Sequence, residues 1–244
     1  MYDTLKNNKA ENTVSNFYQS GWDKKNGSTE DAKRWEDLRK YSSDYVSKCR
    51  LRIFKYIPEK GESILDMASG PIQYKEYLKY SCNFKKRYCV DLSLKALNEA
   101  KCKIKNHGVF LHGSFFDLEF ENNFFDCSLS LHTLYHIDKT KQEEAVRKLL
   151  KITKKGAPLI IIYSNPKTLI SKILIPLIKV RNIFKKLKKI KSDQVLYFYA
   201  HPLEWWDRFN NDAYIEKKPW RSFESNHQKF LFPNNILGKL MLNI

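Results

Sequence analysis

The stretch GESILDMASGPIQ, residues 61–73, determines how the chain folds. A short apolar run, Ile64-Leu65, leads to Asp66 and then to the small residues Ala68-Ser69-Gly70, and a helix is predicted to begin at Pro71. This order indicates a strand, a tight turn and a helix. Backbone N–H groups and the positive end of a helix then point to one place, which favours an anionic group. The acid at the strand end suggests a ligand that also carries positive charge or hydroxyl groups.

Apolar runs and helical patterns alternate downstream of this turn. Strands are predicted at 87–90, 109–112, 124–131, 159–163, 213–215 and 229–232, and helices at 72–80, 94–105, 140–154 and 202–209. The alternation predicts an α/β fold with a doubly wound, mostly parallel, seven-stranded Rossmann-like sheet. Ligands bind at the carboxyl ends of the strands in such sheets. Asp66, Asp91, the Gly113-Ser114 turn and His132 all follow strands, so we expect them to converge on one crevice.

The patterns divide the chain into four parts. We predict an N-terminal helical cap over 1–60, a core over 61–164, a basic amphipathic helical insertion over 165–193, and the C-terminal end of the core, on the acceptor side, over 194–244. Residues 1–10 are expected to be loose. Thr29-Glu30-Asp31 is predicted to cap a helical segment that Pro58 and Gly61 end.

The chain is strongly basic, with a net charge of +17 over 244 residues. Such a charge favours a polyanionic partner, namely nucleic acid, an anionic membrane surface or a phosphorylated substrate, although a lysine-rich solvated surface explains it as well. Residues 167–191 place apolar side chains along one side and lysines opposite, with no acid. This pattern predicts a basic amphipathic helix, kinked at Pro176, that could contact an anionic membrane.

The five cysteines show no C-x-x-C spacing. This favours reduced thiols over disulfides or a zinc site, so we expect no bound metal. The N-terminus lacks the apolar core of a signal peptide, and no apolar run reaches the ~18 residues of a membrane span. We therefore expect a cytoplasmic protein whose only membrane contact is peripheral, at the inner face, through residues 167–191.

From residue 62 to residue 163 the chain resembles the class I S-adenosylmethionine-dependent methyltransferases, within them the small-molecule branch that includes quinone-biosynthesis enzymes. ILDMASGPI is similar to the first motif of the family, although Ala68 and Ile72 replace glycines. In VDLSLKALNEAK, Asp91 lies 21 positions after Gly70. This spacing suits a ribose diol, because a carboxylate can accept hydrogen bonds from both hydroxyls. GSFFDLEFENNFFDCSLSLHTLYHI resembles the adenine-binding turn, the fourth strand and the loop that follows.

The resemblance implies S-adenosylmethionine as cofactor. The methionine part would contact the Asp66–Gly70 turn and the ribose Asp91, while Ser114 stands where many relatives have an acid that binds the adenine amino group. The implied cofactor residues are Asp66, Ala68, Ser69, Gly70, Asp91, Leu92, Ser114, Phe115, Leu131 and His132, with Tyr18 and Trp22 as an aromatic lid for the sulfonium. Simple packing of Tyr18 and Trp22 on the core is the alternative reading.

Methyl transfer from a sulfonium is an in-line displacement that depends mainly on positioning. An oxygen acceptor also has to lose a proton, and by analogy with relatives His136, then His132, is the candidate general base. A structural role for either histidine is the alternative. The acceptor is expected to meet aromatic and basic side chains near the C-terminus: Tyr199, His201, Trp220 and Arg221.

These observations favour O-methylation of a small or lipid-linked acceptor, such as a sugar or glycan precursor. Methylation of RNA or another nucleic acid is the alternative that the charge suggests. It is disfavoured because the Asn/Asp-Pro-Pro-aromatic motif used on exocyclic amines is absent. A catalytically inactive, methyltransferase-like binding protein is a further alternative, motivated by Ala68, Ile72 and Ser114.

Overall fold

The computed structural model describes residues 2–25, 28–168 and 196–242, together with 172, 173 and 176. The basic amphipathic helix predicted over 167–191 therefore lies almost wholly outside the described residues. Within them, no helix is long and apolar enough to cross a membrane.

A parallel sheet forms the centre of the molecule. Its strands are β1 Gly61–Met67, β2 Phe84–Asp91, β3 Gly108–His112, β4 Cys127–Leu131 and β5 Leu159–Ile162. They lie in the order β3-β2-β1-β4-β5, and every neighbouring pair is parallel. The direction of winding reverses between β1 and β4, so a crevice opens there at the carboxyl ends of the strands. The predicted α/β Rossmann-like architecture is confirmed.

Helices cover both faces of this sheet. They are α1 Tyr2–Gly21, α2 Glu30–Trp35, α3 Lys40–Leu51, α4 Lys75–Lys79, α5 Leu94–Ile104, α6 Gln142–Ile152, α7 Ser225–Leu231 and α8 Ile236–Leu242, with short 3-10 helices at Arg52–Tyr56, Lys105–His107, Leu134–His136 and Leu203–Phe209. In α6, Ala145, Leu149 and Ile152 recur at helical spacing and are buried. Ser93 caps α5, because its hydroxyl accepts the Ala96 N–H at 3.2 Å.

The core lies against the two central strands. Ile64 and Leu65 of β1 and Leu129 of β4 are fully buried. Leu65 packs in a cluster with α6 and the aromatic residues of Leu203–Phe209, whereas Ile64 and Leu129 pack on the other face. A strand covered on both faces has to be apolar on both sides, which explains the uninterrupted apolar runs in the sequence.

The predicted count of seven strands is wrong for the described part of the chain, where the sheet has five. Residues 213–215 join no described strand, and the predicted strand at 229–232 overlaps α7. Glu224 and His227 form a capping box at the start of α7, which starts a helix there. A four-residue apolar run cannot distinguish strand from helix by its pattern alone.

Three predictions about helices are corrected. The prediction that residues 1–10 are loose is wrong from Tyr2 onward, because α1 begins there. The segment after Thr29 is not one helix: α2 ends at Trp35, and the carboxylate of Asp37 binds the guanidinium of Arg39 at 2.6 Å before α3 begins. The helix after the Gly70 turn starts at Lys75 rather than at Pro71 and has five residues. The turn itself, rather than a helix end, therefore borders the crevice.

Candidate functional site

A cavity of about 1810 Å³ includes the carboxyl ends of the strands and continues along β5 as far as Lys154. Most of the residues assigned to the cofactor on the basis of sequence line it: Tyr18, Trp22, Asp66, Ala68, Ser69, Gly70, Asp91, Leu92, Phe115, Leu131 and His132. They come from five segments of the fold, namely the end of α1 and the carboxyl ends of β1, β2, β3 and β4. The expected convergence of strand ends on one crevice is therefore present in the structure.

The turn after β1 has an unusual backbone. Ala68, Gly70 and Ile72 have φ angles of 56°, 56° and 48°, in the left-handed region that glycine adopts most readily. Ala68 and Ile72 are the two positions where the resemblance expects glycine. Ile72 is 1% exposed and packs against Cys89 and Leu97. Burial of this side chain offsets the strain of a β-branched residue at positive φ.

Asp91 joins this turn to the end of β2. Its Oδ2 accepts the Gly70 N–H at 2.8 Å, and its Oδ1 accepts the Ser93 N–H at 2.8 Å. Burial raises the pKa of Asp91 to about 6, while the two N–H groups act in the opposite direction. The carboxylate is thus ionised at neutral pH and held at a fixed position on the cavity wall.

Asp66, in contrast, is engaged beneath the turn. Its carboxylate forms an ion pair with the guanidinium of Arg87 on β2, and the two residues are 2% and 0% exposed. Arg87 also donates to the Tyr77 carbonyl at 2.6 Å. Asp66 lines the cavity, yet its charge is matched by Arg87, so it stabilises the joint between β1 and β2.

Helix α1 closes one side of the cavity. The Tyr18 and Trp22 rings are stacked with centroids 4.8 Å apart, and the Trp22 ring lies 3.2 Å from where a Cβ on Gly70 would stand. Tyr18 also hydrogen-bonds Asp31 of α2, whose pKa is raised to about 7 by burial. The two residues predicted to form a lid therefore cover the glycine turn.

Sequence reasoning missed Glu11, which also lines the cavity. The Ser114 hydroxyl donates to Glu11 Oε1 at 2.5 Å, which ties α1 to the turn after β3. Ser114 itself does not line the cavity, although Gly113 and Phe115 on either side of it do. The signal was present in the sequence, because Glu11, Val14, Tyr18 and Trp22 follow helical spacing.

The two candidate histidines lie in and just after the β4 loop. Burial lowers the pKa of His132 to about 3 and that of His136 to about 4, with the charge of Arg221 adding to the shift at His132. His132 Nδ1 is 3.1 Å from the Tyr135 hydroxyl. His136 Nδ1 is 2.7 Å from the Tyr197 carbonyl oxygen, which can only accept, so Nδ1 carries the hydrogen and Nε2 has the lone pair.

The four predicted acceptor residues separate into two pairs. Trp220 and Arg221 line the cavity, and the Trp220 ring is 4.6 Å from that of His132. Tyr199 and His201 do not line it. The Tyr199 carbonyl accepts the Gln142 side chain at 2.8 Å, and His201 stacks on Trp205 with ring centroids 4.4 Å apart. Across the described ranges, no group of His, Cys, Asp and Glu side chains is arranged to hold a metal ion.

Residues 65–161 match the protein family described as the methyltransferase domain. No curated protein matches the chain. Among solved structures it is similar to a chain of the complex between the Haloferax volcanii Trm112 methyltransferase activator and a methyltransferase, with 19% identity over 48% of this chain and 50% of that chain and a TM-score of 0.41. It is also similar to the YcgJ protein of Bacillus subtilis, with 17% identity over 68% of this chain and 67% of that chain and a TM-score of 0.48.

A further similar structure is the 1,6-didemethyltoxoflavin-N1-methyltransferase of Burkholderia thailandensis, solved with 1,6-didemethyltoxoflavin and S-adenosylhomocysteine. It shares 12% identity over 66% of this chain and 65% of that chain, with a TM-score of 0.49. The chain spans half the length of the first of these structures and about two thirds of the other two. Residues 65–161, which match the methyltransferase domain, run from β1 into β5 and form most of the parallel sheet.

Proposed function

We propose that this protein is an S-adenosylmethionine-dependent methyltransferase that methylates a hydroxyl of a small or lipid-linked acceptor, such as a sugar or glycan precursor. One observation carries the proposal. Within the matched domain, the Asp91 carboxylate is held at the cavity wall by the N–H groups of Gly70 and Ser93. A fixed carboxylate beside a tight turn, at the reversal of strand order, suits the ribose of a nucleoside ligand.

The residues present fit this cofactor. Asp91 is ionised at neutral pH and can accept hydrogen bonds from two ribose hydroxyls. Phe115 offers an apolar face for the base, and the backbone of Ala68–Gly70 borders the space for the amino-acid part. The bound group supplies a methyl on a sulfonium. The stacked Tyr18 and Trp22 rings would favour that positive charge through cation–π attraction and exclude water from it.

The acceptor side of the cavity supports a polar, hydroxylated ligand. Trp220 and Tyr135 offer aromatic faces, and Arg221 offers a forked donor that suits a phosphate. His136 presents Nε2 as its lone-pair nitrogen, so it can take the proton that a hydroxyl loses on methylation. Burial lowers the pKa of His136 to about 4, so its imidazole is neutral at physiological pH and its Nε2 lone pair is free of a proton.

Contact with an anionic membrane through residues 167–191 is part of the proposal and rests on the sequence pattern. Its test is flotation with vesicles of phosphatidylcholine alone or with added phosphatidylglycerol. A variant with its lysines in this segment replaced by glutamine serves as the control. Flotation only with the anionic vesicles, lost in the variant, is expected. Equal flotation of both proteins would contradict the membrane contact.

The cofactor is tested by isothermal titration with S-adenosylmethionine and S-adenosylhomocysteine. We expect both to bind, and Asp91→Ala to weaken binding at least tenfold. Glu119→Ala removes the same charge from an exposed position and should not change the affinity. Absence of binding by both compounds would reject the enzyme and leave a methyltransferase-like binding protein. Transfer of a labelled methyl group to nucleotide sugars, glycolipids and phenols then identifies the acceptor.

The net charge of +17 favours one second candidate, a nucleic-acid methyltransferase. Binding to RNA would then weaken steeply as salt increases, because counterions released from the phosphates drive such binding. Retention of structured RNA at 50 mM and 200 mM salt tests this. Labelled methyl transfer to RNA but not to sugar acceptors would establish this candidate in place of the first.

A further inference from the structure

One face of α1 borders the cavity although the helix lies outside the matched domain. Glu11, Val14 and Tyr18 lie on the same side of α1 and line the cavity, together with Trp22, which directly follows the helix. Three of them are apolar or aromatic. Glu11 is the exception, and an acid on the inward face of a helix needs a partner or a function.

Glu11 contacts the end of β3, which is the strand next to the one that ends at Asp91. Its carboxylate accepts a hydrogen bond from Ser114, which follows the end of β3. β3 pairs with β2, and Asp91 is the register partner of His112, two residues before Ser114. A nucleoside whose ribose is bound at Asp91 can therefore extend its base over the end of β3. Gly113 and Phe115, the two neighbours of Ser114, line the same cavity as Glu11.

We propose that Glu11 selects the base of the nucleoside cofactor by accepting a hydrogen bond from an exocyclic amine. The inference rests on the proposed function, because it assumes that a nucleoside binds at Asp91. A carboxylate has about four lone-pair sites, so it can accept a base amine while it accepts Ser114. Ser114 is then a positioning residue that holds the carboxylate toward the cavity.

The charge of Glu11 predicts which ligands lose affinity when this residue is removed. A carboxylate attracts an amino group and repels a carbonyl oxygen at the same place on a purine. Removal of Glu11 should therefore lower the affinity for a ligand with the amine and leave the affinity for a ligand with a carbonyl unchanged. If α1 merely packs on the cavity, its variants should affect both ligands equally. The amine-to-carbonyl comparison separates recognition from packing.

The test is isothermal titration of the full chain with S-adenosylhomocysteine and with S-inosylhomocysteine, which has a carbonyl in place of the amine. Wild-type protein should bind the adenosyl compound at least tenfold more tightly, as expected for one hydrogen bond to a charged group. Glu11→Ala should lose about tenfold in affinity for the adenosyl compound and keep or gain affinity for the inosyl compound. Ser114→Ala should reduce the preference in the same direction by less.

Asn12→Ala changes the exposed residue next to Glu11 and serves as the control, with no effect expected on either affinity. Equal losses for both ligands in Glu11→Ala, or no loss for either, would overturn the assignment while the cofactor proposal stands. If wild-type protein binds neither compound, the proposed function fails and the inference fails with it. Far-ultraviolet circular dichroism of each variant checks that α1 still folds.

Discussion

The backbone N–H of Gly70 donates a 2.8 Å hydrogen bond to Oδ2 of Asp91, so the turn after β1 and the end of β2 hold each other in place. Trp22 completes the arrangement from the other side, because its ring lies against Gly70. The cavity wall is therefore ordered before any ligand arrives. A preordered wall reduces the cost of binding a flexible cofactor.

Replacement of Gly70 by alanine should destabilise the fold and the site together. The φ angle of 56° costs a residue with a side chain about 1 kcal/mol, and the new Cβ would stand 3.2 Å from the Trp22 ring. We expect a loss of about 1–3 kcal/mol in the free energy of unfolding, measured by urea titration, together with weaker binding of S-adenosylhomocysteine.

Ala68→Gly is the matched comparison, because Ala68 has the same φ of 56°. Relief of strain there should stabilise the fold by up to about 1 kcal/mol, less the entropy that glycine adds to the unfolded chain. A Gly70→Ala variant as stable as wild-type protein would show that the left-handed turn is not maintained in solution.

The ionisation of Asp91 should make stability depend on pH. Burial raises the pKa of Asp91 from 3.8 to about 6, so the folded protein holds a proton there that the unfolded chain releases. Stability from this group is present below pH 3.8 and is lost as the pH rises through 6, by at most ~3 kcal/mol. Asp91→Asn should remove this dependence of the free energy of unfolding on pH. The measurement is urea unfolding of both proteins at intervals from pH 4 to pH 7.

The pKa of Asp31 is raised to about 7, so this residue makes the stability of both proteins fall with rising pH. The difference in pH dependence between wild-type protein and Asp91→Asn therefore comes from Asp91. Identical slopes would contradict a buried, ionisable Asp91. In the wild-type protein, affinity for S-adenosylhomocysteine should fall as the pH drops below 6, because a protonated carboxyl accepts hydrogen bonds less well.

The ion pair of Asp66 with Arg87 should be essential for folding. Arg87→Met would leave the Asp66 carboxylate buried and unpaired, which costs about 3–5 kcal/mol. The double variant Asp66→Asn with Arg87→Met removes both charges and should recover much of this loss. Urea unfolding of the two variants measures the difference.

An exposed pair provides the control. Lys85 and Glu62 are 2.8 Å apart, with side chains 73% and 63% exposed. Glu62→Gln should cost less than about 1 kcal/mol, because solvent screens the pair. If Arg87→Met costs no more than Glu62→Gln, the buried pair does not join β1 to β2 in the way described.

His136→Gln should lower turnover about 100-fold or more if Nε2 is the general base, with unchanged binding of S-adenosylhomocysteine. Glutamine can still donate to the Tyr197 carbonyl. Once the acceptor is identified, labelled methyl transfer measures the rate. His112→Gln, at an exposed position, is the control. Unchanged turnover in His136→Gln and in His132→Gln would exclude a histidine base.

The same variant should resist acid better than the wild-type protein. Burial lowers the pKa of His136 from 6.5 to about 4, so the unfolded chain binds a proton more readily than the folded one. This contribution to the free energy of unfolding is present above pH 6.5 and is lost as the pH falls from 6.5 toward 4, with a loss of about 2 kcal/mol at pH 5. Urea unfolding at pH 7 and pH 5 should show a smaller loss for His136→Gln. A loss equal to that of wild-type protein would contradict a buried neutral imidazole.

Local pattern was sufficient for much of the fold. The apolar runs of β1 to β5 and the helical spacing of α5 and α6 are properties of neighbouring residues, so strand ends such as Asp91 and His132 could be placed from the sequence. Local pattern failed where a short segment fits two structures. Most of the run at 229–232 became part of α7, because Glu224 and His227 cap a helix there. Helix α1 formed although its polar N-terminal half shows little apolar periodicity.

What the sequence determined by itself is the alternating α/β order, the strand-end positions of the polar side chains and the resemblance to methyltransferases. Only the tertiary structure decided which distant residues meet. Glu11 reaches Ser114 across 103 positions, Arg87 neutralises Asp66, and Ala68 and Ile72 adopt positive φ because the surrounding contacts hold them there. The free energy of such contacts comes from groups far apart in the chain, and no local pattern contains it.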